Sequence, residues 1–166
     1  FVGFGSMLPN EGEELSRVVL DAARQAGVRL VVQAGWSGLS GHGDDVLTVG
    51  DVPHEWLFPQ MAAVVQHGGA GTTGAVVRAG VPAVTTPVLA DQPFWGEQLV
   101  RAGVSPGTAS LRTLTTDTLA SLLREAVTRS DYRRNAEVLS SQVRAEDGAQ
   151  GVLDALDRLP ASGQSR

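Results

Sequence analysis

His67-Gly68-Gly69-Ala70-Gly71-Thr72-Thr73-Gly74 carries the densest chemistry in the chain: one imidazole, four glycines and two hydroxyls within eight residues. It follows the apolar run Ala62–Gln66 and leads into Ala75-Val76-Val77. That order predicts a strand, a glycine turn and the start of a helix. Glycines let the backbone come close to a ligand. A helix start aims unpaired N–H groups and the positive end of the helix dipole at whatever lies there. The threonine hydroxyls add donors, and each hydrogen bond to a charged oxygen contributes about 1.5–3 kcal/mol. A diphosphate suits such a site by chemistry alone.

Two other readings compete. Gly69 to Gly74 also satisfies G-x-G-x-x-G, the dinucleotide fingerprint, and Asp91 lies about 20 residues on, where that motif asks for an acid. An NAD- or FAD-binding domain of an oxidoreductase is therefore an alternative. Against it, Asp91 runs into Gln92-Pro93-Phe94-Trp95 and starts a helix instead of ending a strand. Four strands also precede glycines that usually open such a domain. The plainest reading is a turn built for close packing, which leaves His67 and both threonines without a task. A non-catalytic nucleotide-binding module is a third hypothesis of function.

The elements that must position these residues follow from periodicity. Residues 1–5 read as a short strand ending at glycine. Asn10 and Glu13 are spaced as an N-cap and its N3 acid. Leu15, Val18, Val19, Ala22, Ala23 and Ala26 then form one face of a helix that Gly27 ends. Val28–Val32, Val46–Val49, Ala62–Gln66 and Val81–Thr85 read as strands. His54–Met61 reads as a helical turn interrupted by Pro59. Further helices open near Thr72, closing at Gly80, and at Asp91, closing at Gly103. Leu119, Leu122, Leu123, Ala126 and Val127 share a helix face, Ser130 reads as the next N-cap, and a last helix runs from near Gly148 through Leu156. Alternating strands and helices predict an α/β domain: a Rossmann-like parallel sheet with helices on both faces. Such sheets bind ligands beyond the carboxyl ends of their strands, where the glycine turns fall.

Composition narrows the partners. The 166 residues carry 13 basic and 18 acidic side chains, a net charge of −5, which argues against a nucleic-acid polymer. No apolar run is long enough for a membrane span. There is no cysteine, so disulfides and thiolate metal sites are excluded, and no His/Asp/Glu cluster has metal-ligand spacing. The chain opens on Phe1-Val2-Gly3 with no initiator Met and no signal-peptide core, which reads as a fragment.

A family resemblance now adds to these readings. His67 to Gly74, then Ala79-Gly80-Val81-Pro82, Pro87 and Asp91-Gln92, resemble the C-terminal signature of GT-B glycosyltransferases. The likeness is greatest to bacterial enzymes that glycosylate antibiotics and other natural products, and to sterol glucosyltransferases. Gly3-Phe4-Gly5-Ser6-Met7, Gly35-Trp36 and Val52-Pro53-His54 with Leu57-Phe58-Pro59 fit the family too.

The resemblance implies residue roles. Ser6, His67, Gly69, Gly71, Thr72 and Thr73 would bind the diphosphate. Trp36, Val52 and Pro53 would flank the base, and Asp91 and Gln92 would hold sugar hydroxyls. Alone, Asp91 reads as a helix N-cap, Trp36 as a core residue, His54 as a buttress of its turn and His42 as a solvated loop residue. Plant members carry a Glu eight residues after the motif His, and here that position is Ala75. UDP and dTDP donors both stay open. The resemblance further implies a donor-binding domain over residues 1–160, a frayed tail at 161–166 and an N-terminal acceptor domain absent from this chain. That missing domain would hold the general base. The implied reaction moves a hexose to a small lipophilic or natural-product acceptor, with inversion, no metal and no cofactor beyond the nucleotide sugar. A cytoplasmic location is the expectation.

Overall fold

The computed structural model describes residues 1–5, 12–34, 39–41, 43–146 and 148–159. Five strands form one parallel sheet: β1 (Val2–Gly3), β2 (Leu30–Gln33), β3 (Val46–Val49), β4 (Val64–Gln66) and β5 (Ala83–Thr85). Their order in the sheet is β3-β2-β1-β4-β5. Val2 lies between Val32 of β2 and Val65 of β4, so β1 is the central strand. The chain winds outward from β1 to β3 on one side, then crosses back to place β4 and β5 on the other. That reversal opens a crevice beyond the carboxyl ends of β1 and β4, where open α/β sheets hold ligands.

Among the described residues there are seven α-helices: α1 (Gly12–Ala26), α2 (His54–Leu57), α3 (Ala70–Ala79), α4 (Gln92–Arg101), α5 (Thr116–Thr128), α6 (Ser130–Ala145) and α7 (Gly148–Asp157). The period-2 alternation of each strand sends neighbouring side chains into different cores. Val2, Val32, Val65 and Val84 pack against Leu15 and Val19 of α1 and Leu119 and Leu123 of α5. Val64 and Ala83 pack the other way, against Leu57, Phe58, Val76 of α3, Leu99 of α4 and Ala136 of α6. Helices therefore cover both faces, as the alternation of elements requires. Helix α7 buries no residue, and Val152, Leu153 and Leu156 along it are each more than half exposed.

Helix ends follow the glycines. Gly27, Gly80 and Gly103 sit at φ +72°, +67° and +66°, left-handed turns that a side chain disfavours. Other boundaries differ from the sequence reading. The second strand starts at Leu30, not Val28, because Val28 N–H still bonds back to Ala23 O at the end of α1. Helix α3 starts at Ala70, two residues before Thr72, since extended Gly69 lets the turn close early. Ser130 is the first residue of α6 and makes no cap, and Arg129 precedes the helix. The Asn10 cap and the 161–166 tail lie outside the described residues.

Candidate functional site

The crevice is built from the loops after β1, β4 and β5. Gly5 follows β1 at φ +58°. A Cβ added there would sit 3.5 Å from His67 Cε1, and one added at Gly69 would sit 2.5 Å from His67 Nε2. The imidazole therefore fills the gap between two glycine backbones. It is half-buried, and its Nδ1 is buried with no hydrogen-bond partner among the described residues. Burial holds its pKa below the ordinary histidine value, and the nearby Asp91 carboxylate offsets part of that. An unpaired buried ring nitrogen costs free energy unless something completes it.

Gly68 follows at φ +96°, where a Cβ would lie 2.8 Å from Gln92 O and 2.9 Å from Thr85 Cγ2. Only glycine fits. Its N–H donates to Gln66 Oε1 at 2.9 Å, while Gln66 Nε2 donates to Thr73 Oγ1 at 3.0 Å. Gln66 is fully buried at the end of β4 and ties the turn to the helix. It escaped the sequence reading. The signal was there: a polar residue closing an apolar strand immediately before the glycine turn.

Helix α3 has no side-chain cap at its start. Its first internal bond runs from Thr73 N–H to Gly69 O at 2.9 Å. The amides of Ala70, Gly71 and Thr72 precede that bond and have no acceptor within the helix. A Cβ on exposed Gly71 would meet nothing within 4 Å, so the surface of this first turn is open at Gly71. Thr73 is placed differently from its neighbours: its hydroxyl bonds Gln66 and its N–H bonds Gly69, so both groups hold the turn. Thr72 is partly exposed.

The loop after β5 brings Asp91 to the same rim. Asp91 is exposed, has helical backbone angles and makes no cap bond. Asp91 thus occupies the N-cap position of α4, as its place in the sequence suggests, but its side chain does not do the capping. Its Oδ2 instead accepts a 2.8 Å hydrogen bond from Trp95 Nε1, one helical turn on. Gln92 is buried, and its Oε1 accepts from Val88 N at 2.8 Å and Leu89 N at 3.2 Å. That oxygen clasps the loop which carries Asp91. Ala90, between them, is at φ +58°, the only non-glycine residue with positive φ among those described.

Beside α3, a cavity of about 660 Å³ is lined by Gln33, Asp51, Val52, Pro53, His54, Glu55 and Ala75. Val52, Pro53 and Ala75 thus share one depression. His54 stacks on Phe58 with ring centroids 4.3 Å apart, and burial lowers its pKa, which suits a buttress. Ser6, Trp36 and His42 lie outside the described residues. A second cavity of about 660 Å³ opens at the amino ends of the strands, lined by residues such as Val2, Leu30, Val46 and Leu123. It lies at the opposite end of the strands from the His67–Gly74 turn, and its Asp45 is paired with Arg24 at 3.1 Å.

This geometry separates the site from a dinucleotide fold. The Gly69–Gly74 fingerprint follows the fourth strand in chain order, not the first, and Asp91 lies beyond β5 in the turn before α4. The family model "Erythromycin biosynthesis protein CIII-like, C-terminal domain" matches residues 17–159. The chain belongs to this family. A sterol 3-beta-glucosyltransferase of Pichia angusta is 35% identical to this CIII-like domain over 164 residues, covering 94% of the chain and 13% of that protein. One of Arabidopsis thaliana is 34% identical over 169 residues, covering 99% of the chain and 26% of that protein. The chain thus spans a small part of both relatives. The glycotransferase of kitacinnamycin superposes with a TM-score of 0.81 at 26% identity, over 96% of this chain and 42% of that one. The glycosyltransferase VinC, solved in complex with DTDP, shares the fold with a TM-score of 0.73 at 24% identity, over 95% of this chain and 40% of that one. The CIII-like domain therefore has the fold expected from its sequence, the Rossmann-like C-terminal half of a GT-B arrangement.

Proposed function

We propose that this domain binds the nucleoside diphosphate sugar used by a longer glycosyltransferase. The observation that carries the reading is the His67 ring seated between Gly5 and Gly69, its Nε2 toward Gly69 at the start of α3, where the amides of Ala70, Gly71 and Thr72 have no acceptor within the helix. Together they form a cradle for a diphosphate. The base lies over Val52 and Pro53 with Trp36, the sugar lies against Asp91 and Gln92, and Ser6 adds a phosphate contact. The donor is UDP- or dTDP-linked, and the DTDP in VinC supports the second. In transfer, the acceptor hydroxyl oxygen attacks the anomeric carbon and the bond to the diphosphate breaks. The departing electron pair stays on a phosphate oxygen, where the α3 amides and His67 stabilise the growing charge. The hydroxyl proton goes to a base in the N-terminal acceptor domain. Inversion follows from attack opposite the leaving group, without a metal or further cofactor. The acceptor is a small lipophilic or natural-product alcohol, a class that the sterol glucosyltransferase relatives support.

Calorimetric titration of UDP and dTDP tests this. The wild type should bind at least one, and His67→Ala should weaken it by about 10-fold or more, as loss of a charge-assisted bond implies. With Ala75 offering no carboxylate, UDP and dUDP should differ by less than about tenfold. Equal affinity of wild type and His67→Ala, with both folded by circular dichroism, removes the assigned role. Failure of the wild type to bind any nucleoside diphosphate removes the reading itself.

A further inference from the structure

An exposed carboxylate on a helix start ordinarily samples several rotamers, yet Asp91 is pinned. Trp95 Nε1 donates to its Oδ2 at 2.8 Å. The indole is itself only partly exposed and packs edge-on against Phe94, with ring centroids 5.1 Å apart and planes at 74°. The backbone under Asp91 is equally fixed. Gln92 Oε1 holds the amides of Val88 and Leu89, and Ala90 is locked in the left-handed region. With no cap bond to the helix, Asp91 is spared from the usual work of its position. One of its oxygens is committed to Trp95, and the other has no hydrogen bond to a described residue.

We propose that Trp95 is a positioning residue of the donor site. Its indole N–H sets the rotamer of Asp91, so that Oδ1 is presented to a hydroxyl of the donor sugar. This rests on the reading of Asp91 as a sugar contact. A contact that served only the surface of α4 would instead act on stability and treat all ligands alike.

The test compares bare UDP and dTDP with UDP-glucose and dTDP-glucose on the wild type, Trp95→Phe, Asp91→Asn and the double variant. Trp95→Phe should leave bare nucleotide affinity within about twofold and weaken the sugar conjugate about three- to tenfold, a partial loss of one carboxylate–hydroxyl hydrogen bond. In the double variant the loss should be no greater than in Asp91→Asn alone, because Trp95 acts through Asp91. A wild-type measurement stands beside these. The Trp95 indole N–H resonance should move on adding the sugar conjugate and stay unmoved with bare nucleotide. Equal weakening of both ligand classes, additive losses in the double variant, or an indole resonance indifferent to the sugar overturns the proposal. If Trp95→Phe fails to fold, the indole resonance alone decides. A wild type that binds nucleotide but fails these tests leaves the donor-domain reading intact, whereas one that binds no nucleotide removes both.

Discussion

Burial holds the pKa of His67 below the ordinary histidine value in the free domain, outweighing the favourable field of Asp91. Two bound phosphates would reverse that balance and raise its pKa. Binding therefore takes up a proton at pH values between the lowered free value and the raised bound one. The sign follows: affinity for UDP-glucose should rise as pH falls through that window and level off above it. The sugar conjugate is the right ligand, since free UDP has a second phosphate ionisation near pH 6 that would mask the effect. Calorimetry in buffers of different ionisation enthalpy should detect the proton uptake, and His67→Gln should abolish it. An affinity that is flat from pH 5 to pH 8 would show that His67 does not meet the phosphates. Asp91→Asn removes the carboxylate that supports the charged imidazole, so it should shift the window to lower pH.

Strand β4, its turn and α3 act as one device, and its glycines do different jobs. Gly68→Ala places a Cβ 2.8 Å from Gln92 O at φ +96°, and should cost more than about 1 kcal/mol of stability. Gln66→Leu keeps the volume but strands the Gly68 N–H and the Thr73 hydroxyl, at about 1–3 kcal/mol for each group left unpaired. Gly71→Ala should behave oppositely. Its Cβ enters open space, so stability should hold or rise, while nucleotide binding should fall because that space is where a diphosphate would lie. Urea unfolding and nucleotide titration of the three variants read this contrast, and destabilisation by Gly71→Ala would contradict it. Much of this device was readable in the sequence. Strand Val46–Val49 and the glycine stops at 27, 80 and 103 were found where expected, because β-branched runs and left-handed turns are local signals. Glycines at 69 and 71 masked the true start of α3, since glycine is a poor helix former and the helix there is set by tertiary fit. Gln66 looked like a polar strand end and is buried. Asp91 had the composition of a cap, yet the indole four residues on claims its carboxylate, a choice between two local partners that spacing alone does not settle.

Across the whole molecule, the two apolar cores lie on opposite faces of the sheet, and His67, the start of α3 and Asp91 follow the carboxyl ends of β4 and β5. On the proposed reading, a rim held by the sheet should be largely pre-formed. The chain alone should therefore bind nucleoside diphosphates, weakly, and transfer no sugar. Mass spectrometry with UDP- and dTDP-sugars and a panel of hydroxylated acceptors checks this. Sustained product from the chain alone would place the base within these residues, and addition of the N-terminal domain in cis or in trans should restore turnover. The glycine cradle around His67 has one more consequence. Gly5, Gly68 and Gly69 shape the site by what they lack, and the α3 donors are main-chain amides that every residue type except proline supplies. Drift among surface side chains would leave such a site intact, while one extra methyl at a few positions would close it. Selection for nucleotide binding would then leave its record in persistent glycines, with the charged residues around them free to diverge.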